Sequence, residues 1–373
     1  MKNSNNYIPF LKFKVNEVAG LSALDPKLKE NLTPFFDLAR KDGMTKSAFK
    51  ESVQACYKKA EKFLKPFPYI FIDTFDIPDA IAATGKPNCS ILIDAFKGFN
   101  FVPVLGLDRA ADHNSTIMSA KEKGKIKSDI VAIRFQPDEF SSFALIEEDL
   151  NELIDSGTEL FKHWIFVFDC RVCTKNDSLQ WAEEISSFIN EADKKIAVHK
   201  YIITGSSVPS MITSIAKPSD ESIVHRVELD IFNLIQSKVD CILGLGDYTI
   251  ISPHYSDISI PKELMLSVTV PKVFYTYKNS HYVARGGRIK TKGYTQYDQI
   301  CQDIVSKPFY RGNHYSWGDN FIKIRADGLG INNVTPSTIL KPTICAHITY
   351  MALDYPKSAR AYGERQEHAL SYR

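Results

Sequence analysis

Short apolar runs recur along the chain, and most of them are continuous rather than alternating between apolar and polar residues. A parallel strand that is covered on both faces shows this continuous pattern. The runs therefore predict eight buried parallel strands. They are Tyr7–Phe13, Thr33–Leu38, Tyr69–Phe75, Phe101–Leu107, Asp129–Phe135, Trp164–Asp169, Lys200–Gly205 and Cys241–Asp247.

Segments with apolar residues at helical spacing separate these runs. One begins after a Thr45 cap, and three others cover residues 146–161, 178–195 and 225–238. Successive strands begin roughly 26 to 40 residues apart, as strand–helix–strand units require. Strands that alternate with helices in this way predict an α/β fold of the (β/α)8, TIM-like barrel class. A doubly wound open sheet is the alternative, but no G-x-G-x-x-G or P-loop motif follows any strand.

The pattern changes in the last third of the chain. Residues 272–287 alternate and turn near Lys278, as a hairpin does, and residues 295–307 are typical of a helix. A late helix is predicted over residues 336–355, with an interruption near Pro342. The predicted organisation is a barrel over residues 1–255, a C-terminal α+β extension packed on it over 256–355, and a polar tail over 356–373.

Composition narrows the classes of function. The chain has 46 Lys and Arg against 44 Asp and Glu among 373 residues, and this balance argues against nucleic acid as a partner. No apolar run approaches the roughly 18 residues that a membrane helix needs, and the start does not resemble a signal peptide. Seven cysteines, an odd number, favour free thiols over a disulfide framework. We therefore expect a cytoplasmic protein without a membrane partner.

The predicted strands end in polar groups. In a parallel barrel the carboxyl ends of the strands form the pocket, so these groups are expected to converge there. Crowded carboxylates and cations shift one another's pKa values, which is how general acids and bases arise. The end groups are Lys12, Asp37, Asp73, Asp108 with Arg109, Arg134, Asp169 with Arg171, Thr204 to Ser207, and Asp247 with Tyr248.

This ring predicts a site for a small anionic, nucleotide-like ligand. Acid–base catalysis is assigned to the carboxylates Asp73, Asp169 and Asp247. Ligand binding is assigned to Lys12, Asp37, Arg134 and Tyr248, together with Arg285 and Asp319 from the C-terminal segment. The "SWGD" segment that contains Asp319 is expected to be a loop. The carboxylates also suit Mg²⁺ as a cofactor. The alternative is architectural, with aspartates that cap helices and salt bridges that close the barrel.

Several motifs together resemble the beta-protein family of phages, prophages and bacterial mobile elements. The motifs are "YIPFLKFKVNEVAGLSAL", "PFFDL", "VAIRF", "GSSVPS", "LGDYTIISP", "YTYKNSHYVARGG" and "SWGD", and they cover most of the chain in the family's order. The family pattern matches Tyr7, Pro9, Lys12, Pro34, Arg134, Pro209, Gly246, Asp247, Tyr248, Arg285, Gly286 and Asp319. One departure is Asp37, where the family tends to have Glu.

The resemblance implies a cytoplasmic, barrel-like protein that works in conflict between phage and host. With the charged ring, it predicts an anti-phage defence protein with hydrolase or transferase activity. The alternative is a non-catalytic sensor or a partner-binding subunit of a defence complex, because the C-terminal segment is rich in the aromatic residues and glycines that form interfaces. Whether the chain is an enzyme stays open at this point.

Overall fold

A computed structural model of the chain describes residues 7–78, 81, 86–110, 112–255 and 265–355. Within these ranges the chain forms two compact units. The barrel unit contains residues 7–18, 29–206 and 227–248, and the second unit contains residues 19–28, 207–226 and 249–355. The polar tail predicted for residues 356–373 lies outside the described residues, and the predicted boundary at residue 255 stays a prediction.

Eight parallel strands form a closed barrel, so the (β/α)8 fold and all eight predicted strands are confirmed. The barrel strands are β1 (Tyr7–Lys12), β2 (Phe35–Asp37), β3 (Ile70–Asp73), β4 (Phe101–Leu105), β5 (Ile130–Phe135), β6 (His163–Val172), β7 (Val198–Ser206) and β9 (Leu243–Asp247). Strand β8 (Glu221–His225) belongs to the second unit.

Helices follow the barrel strands and build much of the second unit. The Thr45 cap is confirmed, because its side chain accepts a hydrogen bond from the Ala48 amide at 3.3 Å. None of the helices in the described ranges has the length and apolar character needed to cross a membrane. The helices are α1 (Val15–Ser22), α2 (Pro26–Lys29), α3 (Lys46–Phe63), α4 (Asn88–Ala95), α5 (His113–Glu122), α6 (Pro137–Phe140), α7 (Phe143–Asp155), α8 (Ser178–Ala192), α9 (Val227–Gln236), α10 (Met265–Val268), α11 (Ile289–Lys292), α12 (Gln296–Ser306), α13 (Trp317–Ala326) and α14 (Leu340–Leu353).

Alternate residues of the barrel strands fill the barrel interior. Side chains of a strand alternate between its two faces, so one set from each strand packs inward and the other packs towards the surrounding helices. The inward set forms an apolar core below the carboxyl ends of the strands. It includes Ile8, Phe10, Phe35, Phe71, Val102, Val104, Ala132, Ile165, Val167, Ile202 and Tyr248.

The second unit is built on a three-stranded antiparallel sheet in the order β10, β11, β8, where β10 is Lys272–Tyr277 and β11 is Ser280–Arg285. The predicted hairpin is therefore confirmed. Strand β8 was not predicted, because it is a short edge strand whose burial is only partial. One face of the sheet packs with α12 and α13 in a core that includes Tyr275, Tyr282 and Tyr297.

Two predictions about the C-terminal helices are corrected. The "SWGD" segment was expected to be a loop, but it begins α13, where the Ser316 hydroxyl accepts from the Asp319 amide at 3.0 Å. The late helix α14 is not interrupted at Pro342. The helix begins only two residues earlier, and a proline is tolerated there because the amides of the first turn lack intrahelical partners.

The cysteines in the structure are free thiols. Cys170 and Cys173, which have CxxC spacing, are both buried in the barrel unit. Burial raises the pKa of Cys173 well above its ordinary value, and nearby Cys170 adds to the rise. A buried, protonated thiol is a poor nucleophile and a poor metal ligand.

Candidate functional site

The carboxyl ends of the barrel strands bring ionisable side chains to one level. Lys12 is the Cα partner of Asp37, and Asp37 is the Cα partner of Asp73, across three neighbouring strands. Lys12 points inward because it shares the strand face of Phe10 and Ile8 in the barrel core. We call the resulting group the mouth cluster. It consists of Lys12, Asp37, Asp73, Phe75, Asp76, Arg109, Arg134, Asp169, Arg171 and Tyr248.

Arg134 lies at the centre of the mouth cluster and is fully buried. Its NH1 group donates to Asp37 at 2.7 Å and to Asp73 at 2.9 Å. Its Nε and NH2 groups donate to Asp169 at 3.0 and 2.6 Å, and NH2 also donates to the Tyr248 hydroxyl at 2.7 Å. One planar guanidinium thus joins carboxylates from three strands, which suits arginine and not lysine.

Lys12 and Arg171 connect the cluster to Asp76, which follows β3. The Lys12 ammonium lies 3.3 Å from the Asp37 carboxylate and also contacts the Asp76 carboxylate. Arg171 lies 3.5 Å from Asp169 and 3.6 Å from Asp76. Its φ of 51° falls where β6 and β7 shift register, a left-handed conformation that is uncommon outside glycine. In this conformation the Arg171 backbone amide donates to the Asp169 carboxylate at 3.0 Å.

Phe75 lies among the cations of the cluster. Its ring centroid is 4.5 Å from the guanidinium carbon of Arg134, 4.9 Å from that of Arg109 and 5.0 Å from that of Arg171. A guanidinium near an aromatic ring is attracted by the ring's quadrupole. One aromatic ring therefore helps to hold three like charges close together.

The mouth cluster is balanced in charge. The pKa of Asp76 is raised by its burial and by the charge of Asp37. With all groups ionised, positive and negative charges cancel. The cations are Lys12, Arg109, Arg134 and Arg171, and the carboxylates are Asp37, Asp73, Asp76 and Asp169.

Two carboxylates of the cluster stay ionised despite their burial. Burial alone would raise the pKa of Asp37, but the charges of Arg134 and Lys12 outweigh it and lower the pKa well below its usual range. Asp169 behaves in the same way, with Arg134 and Arg171 as the cations that outweigh burial. Neither carboxylate is therefore poised to exchange a proton near neutral pH.

Next to β1 lies a buried carboxyl group whose pKa is raised, in contrast to the lowered pKa values of Asp37 and Asp169. Glu17 on α1 is buried, and the backbone amide of Lys12 donates to its carboxylate. Burial raises the pKa of Glu17 to about 7. Glu17 was not predicted as a functional residue, because a lone acid in a short helix carries no recognisable pattern.

A pocket of about 340 Å³ lies beside the mouth cluster, at the ends of β3 and β4. We call it the mouth pocket. It shares Phe75, Asp76 and Arg109 with the cluster, so the buried ion pairs form part of its wall. Its lining residues are Arg40, Thr74, Phe75, Asp76, Ile77, Pro78, Asp108, Arg109, Ala110 and His113.

Buried polar atoms with unused hydrogen-bonding capacity lie around the mouth pocket. Arg109 donates from NH2 to Asp73 at 2.8 Å, but its Nε has no hydrogen-bond partner among the described residues. The Asp108 carboxylate lies 3.6 Å from that Nε, too far for a hydrogen bond. The Oδ1 atom of Asn88 also has no partner in the described ranges, while its Nδ2 donates to the carbonyl of the lining residue Pro78 at 3.0 Å. Because buried polar groups are normally bonded, the Nε of Arg109, which lines the pocket, is a position that a bound polar molecule can use.

Asp247, predicted as part of the ring, lies on the other face of its strand. The Tyr7 hydroxyl donates to the Asp247 carboxylate at 2.7 Å. The next residue, Tyr248, packs inward with Phe10. Because successive side chains alternate, the strand that brings Tyr248 into the mouth cluster does not bring Asp247 there.

Asp319 and Arg285, predicted as ligand-binding residues, belong to the second unit. The hydroxyls of Tyr275 and Ser316 each donate to the Asp319 carboxylate at 2.5 Å. Arg285 donates to the Ala216 carbonyl at 2.7 Å. Both side chains therefore have partners within that unit, and neither is a member of the mouth cluster.

Sequence reasoning missed Asp76 and Phe75 as members of the cluster. Both lie in the loop after β3, beyond the strand end where polar groups were sought. The available signal was "DTFD", which repeats an acidic residue three positions after Asp73. Three residues are short enough that Asp76 stays at the same end of the barrel as Asp73.

The carboxylates of the cluster each contact a cation of the chain. Within the part of the chain that the structure describes, no group of three or more His, Cys, Asp or Glu side chains is arranged to hold a metal ion. A divalent cation at the mouth would have to replace Arg134 or Lys12 as the counter-charge. Mg²⁺ binding therefore stays an expectation from sequence.

The fold and the cluster define a class of protein: a (β/α)8 barrel whose carboxyl mouth is filled by a charge-balanced network centred on one arginine. The chain belongs to the Beta protein family, whose model matches residues 7–353. This match confirms the resemblance seen in the motifs and spans all the barrel strands. No curated protein matches the chain.

Replacing Tyr248 with phenylalanine should lower the free energy of unfolding by about 1–3 kcal/mol. The Tyr248 hydroxyl accepts from Arg134, lies 3.2 Å from Arg171 NH1 and donates to Asp169 at 2.7 Å, so its loss leaves buried groups unpaired. Urea unfolding of the variant measures the change, with Tyr277→Phe at a partly exposed tyrosine as the control. Equal unfolding midpoints for both variants would contradict this role of the hydroxyl.

Proposed function

We propose that this chain acts in conflict between phage and host, as an anti-phage defence protein whose mouth pocket binds a small anionic, nucleotide-like ligand. The observation that carries the proposal is Arg109. Its guanidinium joins the buried cluster through Asp73 and also lines the mouth pocket. Membership of the Beta protein family supports the phage context.

Arg109 is suited to binding an anion because its position is fixed and its hydrogen-bonding capacity is not used up. The bond to Asp73 and the contact with the Phe75 ring hold the guanidinium in place. Its buried Nε has no hydrogen-bond partner in the described ranges. A phosphate or carboxylate oxygen of a ligand would satisfy this donor by a charge-assisted hydrogen bond. Arg40 provides a second cation on the same wall.

The size and charge of the mouth pocket limit the ligand. A volume of about 340 Å³ is at the low end of the roughly 300–1,000 Å³ that ligand pockets span, which favours a mononucleotide-sized molecule or a smaller one. Asp76 and Asp108 also line the pocket. A ligand with both an anionic group and hydrogen-bond donors would match this wall.

If the ligand is turned over, Asp73 is the proposed catalytic carboxylate nearest to the pocket in the bonding network. It bonds directly to Arg109, a lining residue, whereas Asp169 is connected to the lining residues Arg109 and Asp76 only through a second arginine, Arg134 or Arg171. Asp247 is not a member of the mouth cluster, so its proposed catalytic role requires that a ligand contacts it outside that cluster. The reaction class that we propose for such turnover is hydrolase or transferase chemistry.

A second proposed function is a non-catalytic sensor or a partner-binding subunit of a defence complex. The complete pairing of the buried carboxylates favours it, because Asp37 and Asp169 are held ionised by arginine and lysine. In that case ligand binding would report infection to a protein partner. The pocket and the role of Arg109 in binding are the same in both proposals.

Plating of phages on cells that express the chain tests the proposal. We expect the wild-type chain to lower the plating efficiency of at least one phage in a broad panel, and Arg109→Gln to restore plating because the anion loses its contact. Lys162→Gln, at an exposed lysine on the outside of the barrel unit, is the matched control and should restrict phage like the wild type. Full restriction by Arg109→Gln at equal protein level, or no restriction of any phage by the wild type, would refute the proposal.

A further inference from the structure

Two cations face one another at the open end of the β10–β11 hairpin in the second unit. Lys272 and Arg285 are Cα partners in the antiparallel register, so their side chains lie on the same face of the sheet. Like charges directly opposite one another destabilise a sheet. We call these two residues the hairpin-end pair.

The charge of the hairpin-end pair is not offset by a carboxylate in the described ranges. Among the residues that the structure describes, neither Lys272 nor Arg285 forms an ion pair. Burial lowers the pKa of Lys272, and the charge of Arg285 lowers it further. Burial also lowers the pKa of Arg285. A neighbouring carboxylate would raise these pKa values instead of lowering them.

Arg285 is held in place but keeps an unused donor. Its NH1 group donates to the Ala216 carbonyl at 2.7 Å, and its backbone amide donates to the Asp220 carbonyl at 2.9 Å. Its Nε is buried and has no hydrogen-bond partner within the described ranges. A fixed guanidinium with a free N–H is ready to bind an anion without the cost of ordering a flexible side chain.

The turn after Arg285 brings further donors close. Gly287 lies so near its neighbours that a β-carbon there would be 2.8 Å from the Lys292 side chain and 3.2 Å from the Ser219 hydroxyl. Ser219 is fixed in turn, because its amide donates to the Gly286 carbonyl at 2.8 Å. A third cation and a hydroxyl therefore lie beside the glycines that follow the hairpin-end pair.

We propose that the hairpin-end pair is an anion-binding site of the second unit, and that it takes a phosphate group, either as free phosphate or as the phosphoryl group of a small molecule. Lys272 and Arg285 provide the charge, and the free Nε of Arg285 provides a directed hydrogen bond. The site is separate from the mouth pocket and uses none of its residues. A bound dianion would remove the repulsion that the two cations otherwise exert on one another.

Thermal unfolding in sodium phosphate and in sodium pyrophosphate, each against sodium chloride of equal ionic strength, tests the site. We expect phosphate to raise the melting temperature in a saturable way beyond the effect of chloride. In Lys272→Gln, the phosphate concentration that gives half of the maximal response should be roughly 10- to 100-fold higher, because one charged contact is lost. Without phosphate, Lys272→Gln should melt no lower than the wild type, because it relieves the repulsion.

Three further variants keep the test selective. Lys290→Gln, at an exposed lysine in the neighbouring helix α11, should respond to phosphate like the wild type. Arg109→Gln removes the proposed contact in the mouth pocket, so the phosphate response of this variant belongs to the hairpin-end pair. Arg285→Gln is a second test of the site, and Lys272→Gln decides alone if that variant does not fold. A phosphate response in Lys272→Gln equal to that of the wild type, or equal effects of phosphate and chloride on the wild type, would overturn the proposal.

Discussion

Replacing Arg134 with methionine is expected to lower the free energy of unfolding by at least about 3–5 kcal/mol, since removal of one partner of a buried ion pair leaves an uncompensated buried charge. Here three carboxylates, Asp37, Asp73 and Asp169, lose their common partner. They would repel one another in the barrel interior, where Lys12, Arg109 and Arg171 each contact one of them but do not join all three as Arg134 does. We expect the variant to be largely unfolded at neutral pH.

Urea unfolding of purified protein, or the soluble yield if none is obtained, measures this effect. Arg288→Met at an exposed arginine is the control and should change stability little. Arg134→Lys should rescue only in part, because an ammonium cannot bond to three carboxylates in one plane. Arg134→Met combined with Asp37→Asn and Asp169→Asn should recover stability, because two buried charges are removed. An Arg134→Met protein as stable as the wild type would show that the network does not hold the barrel mouth together.

Replacing Glu17 with glutamine should raise the free energy of unfolding at pH 8 by roughly 3 kcal/mol and change it little at pH 5. The pKa of Glu17 is about 7 in the folded protein, against 4.5 for an unperturbed group. Between these two values the folded state binds a proton that the unfolded state has lost, so stability falls as the pH rises through this range. Glutamine removes that loss, and its carbonyl oxygen can still accept from the Lys12 amide.

Urea unfolding at pH 5 and pH 8 tests the prediction. Glu30→Gln changes an exposed acid on the same segment of the chain and should leave the pH dependence as it is in the wild type. The contradicting result is a Glu17→Gln protein that is less stable than the wild type at both pH values. Glu17 would then be needed as a charged group near Lys12.

The barrel and the centre of its mouth were predictable from sequence because parallel barrels obey strict rules. Continuous apolar runs identified every barrel strand, and the strand ends identified Lys12, Asp37, Asp73, Arg134 and Asp169, which the structure brings together. In a parallel barrel all strand ends of one kind meet at one mouth. The position of a residue at the end of a strand therefore fixed its neighbours in space.

The choice between the two faces of a strand was not predictable in the same way. In "CILGLGDY" both faces of the strand are apolar or glycine, so the pattern does not tell whether Asp247 or Tyr248 points inward. The inward face is set by packing against Phe10, which the sequence does not reveal. Asp319 was expected in a loop, but "SWGD" is a helix start of the S-x-x-D type.

The pairing of charges was the second property that sequence could not give. A ring of acids and bases looks the same in sequence whether its members face a ligand or one another. The structure shows that Arg134 satisfies three carboxylates at once and that Phe75 contacts three of the cations. The better position for ligand binding is therefore the edge of the mouth, where Arg109 retains hydrogen-bonding capacity.

Isothermal titration calorimetry with adenosine 5′-monophosphate and with pyrophosphate tests the central claim most directly. The account predicts that the wild type binds at least one of these anions and that Arg109→Gln, still folded, binds it roughly 10- to 100-fold more weakly because a charge-assisted hydrogen bond is lost. Lys272→Gln separates the hairpin-end pair from the mouth pocket and should keep the part of the binding that depends on Arg109. Equal affinity of the wild type and Arg109→Gln, or no binding of either anion by the wild type, would contradict the account.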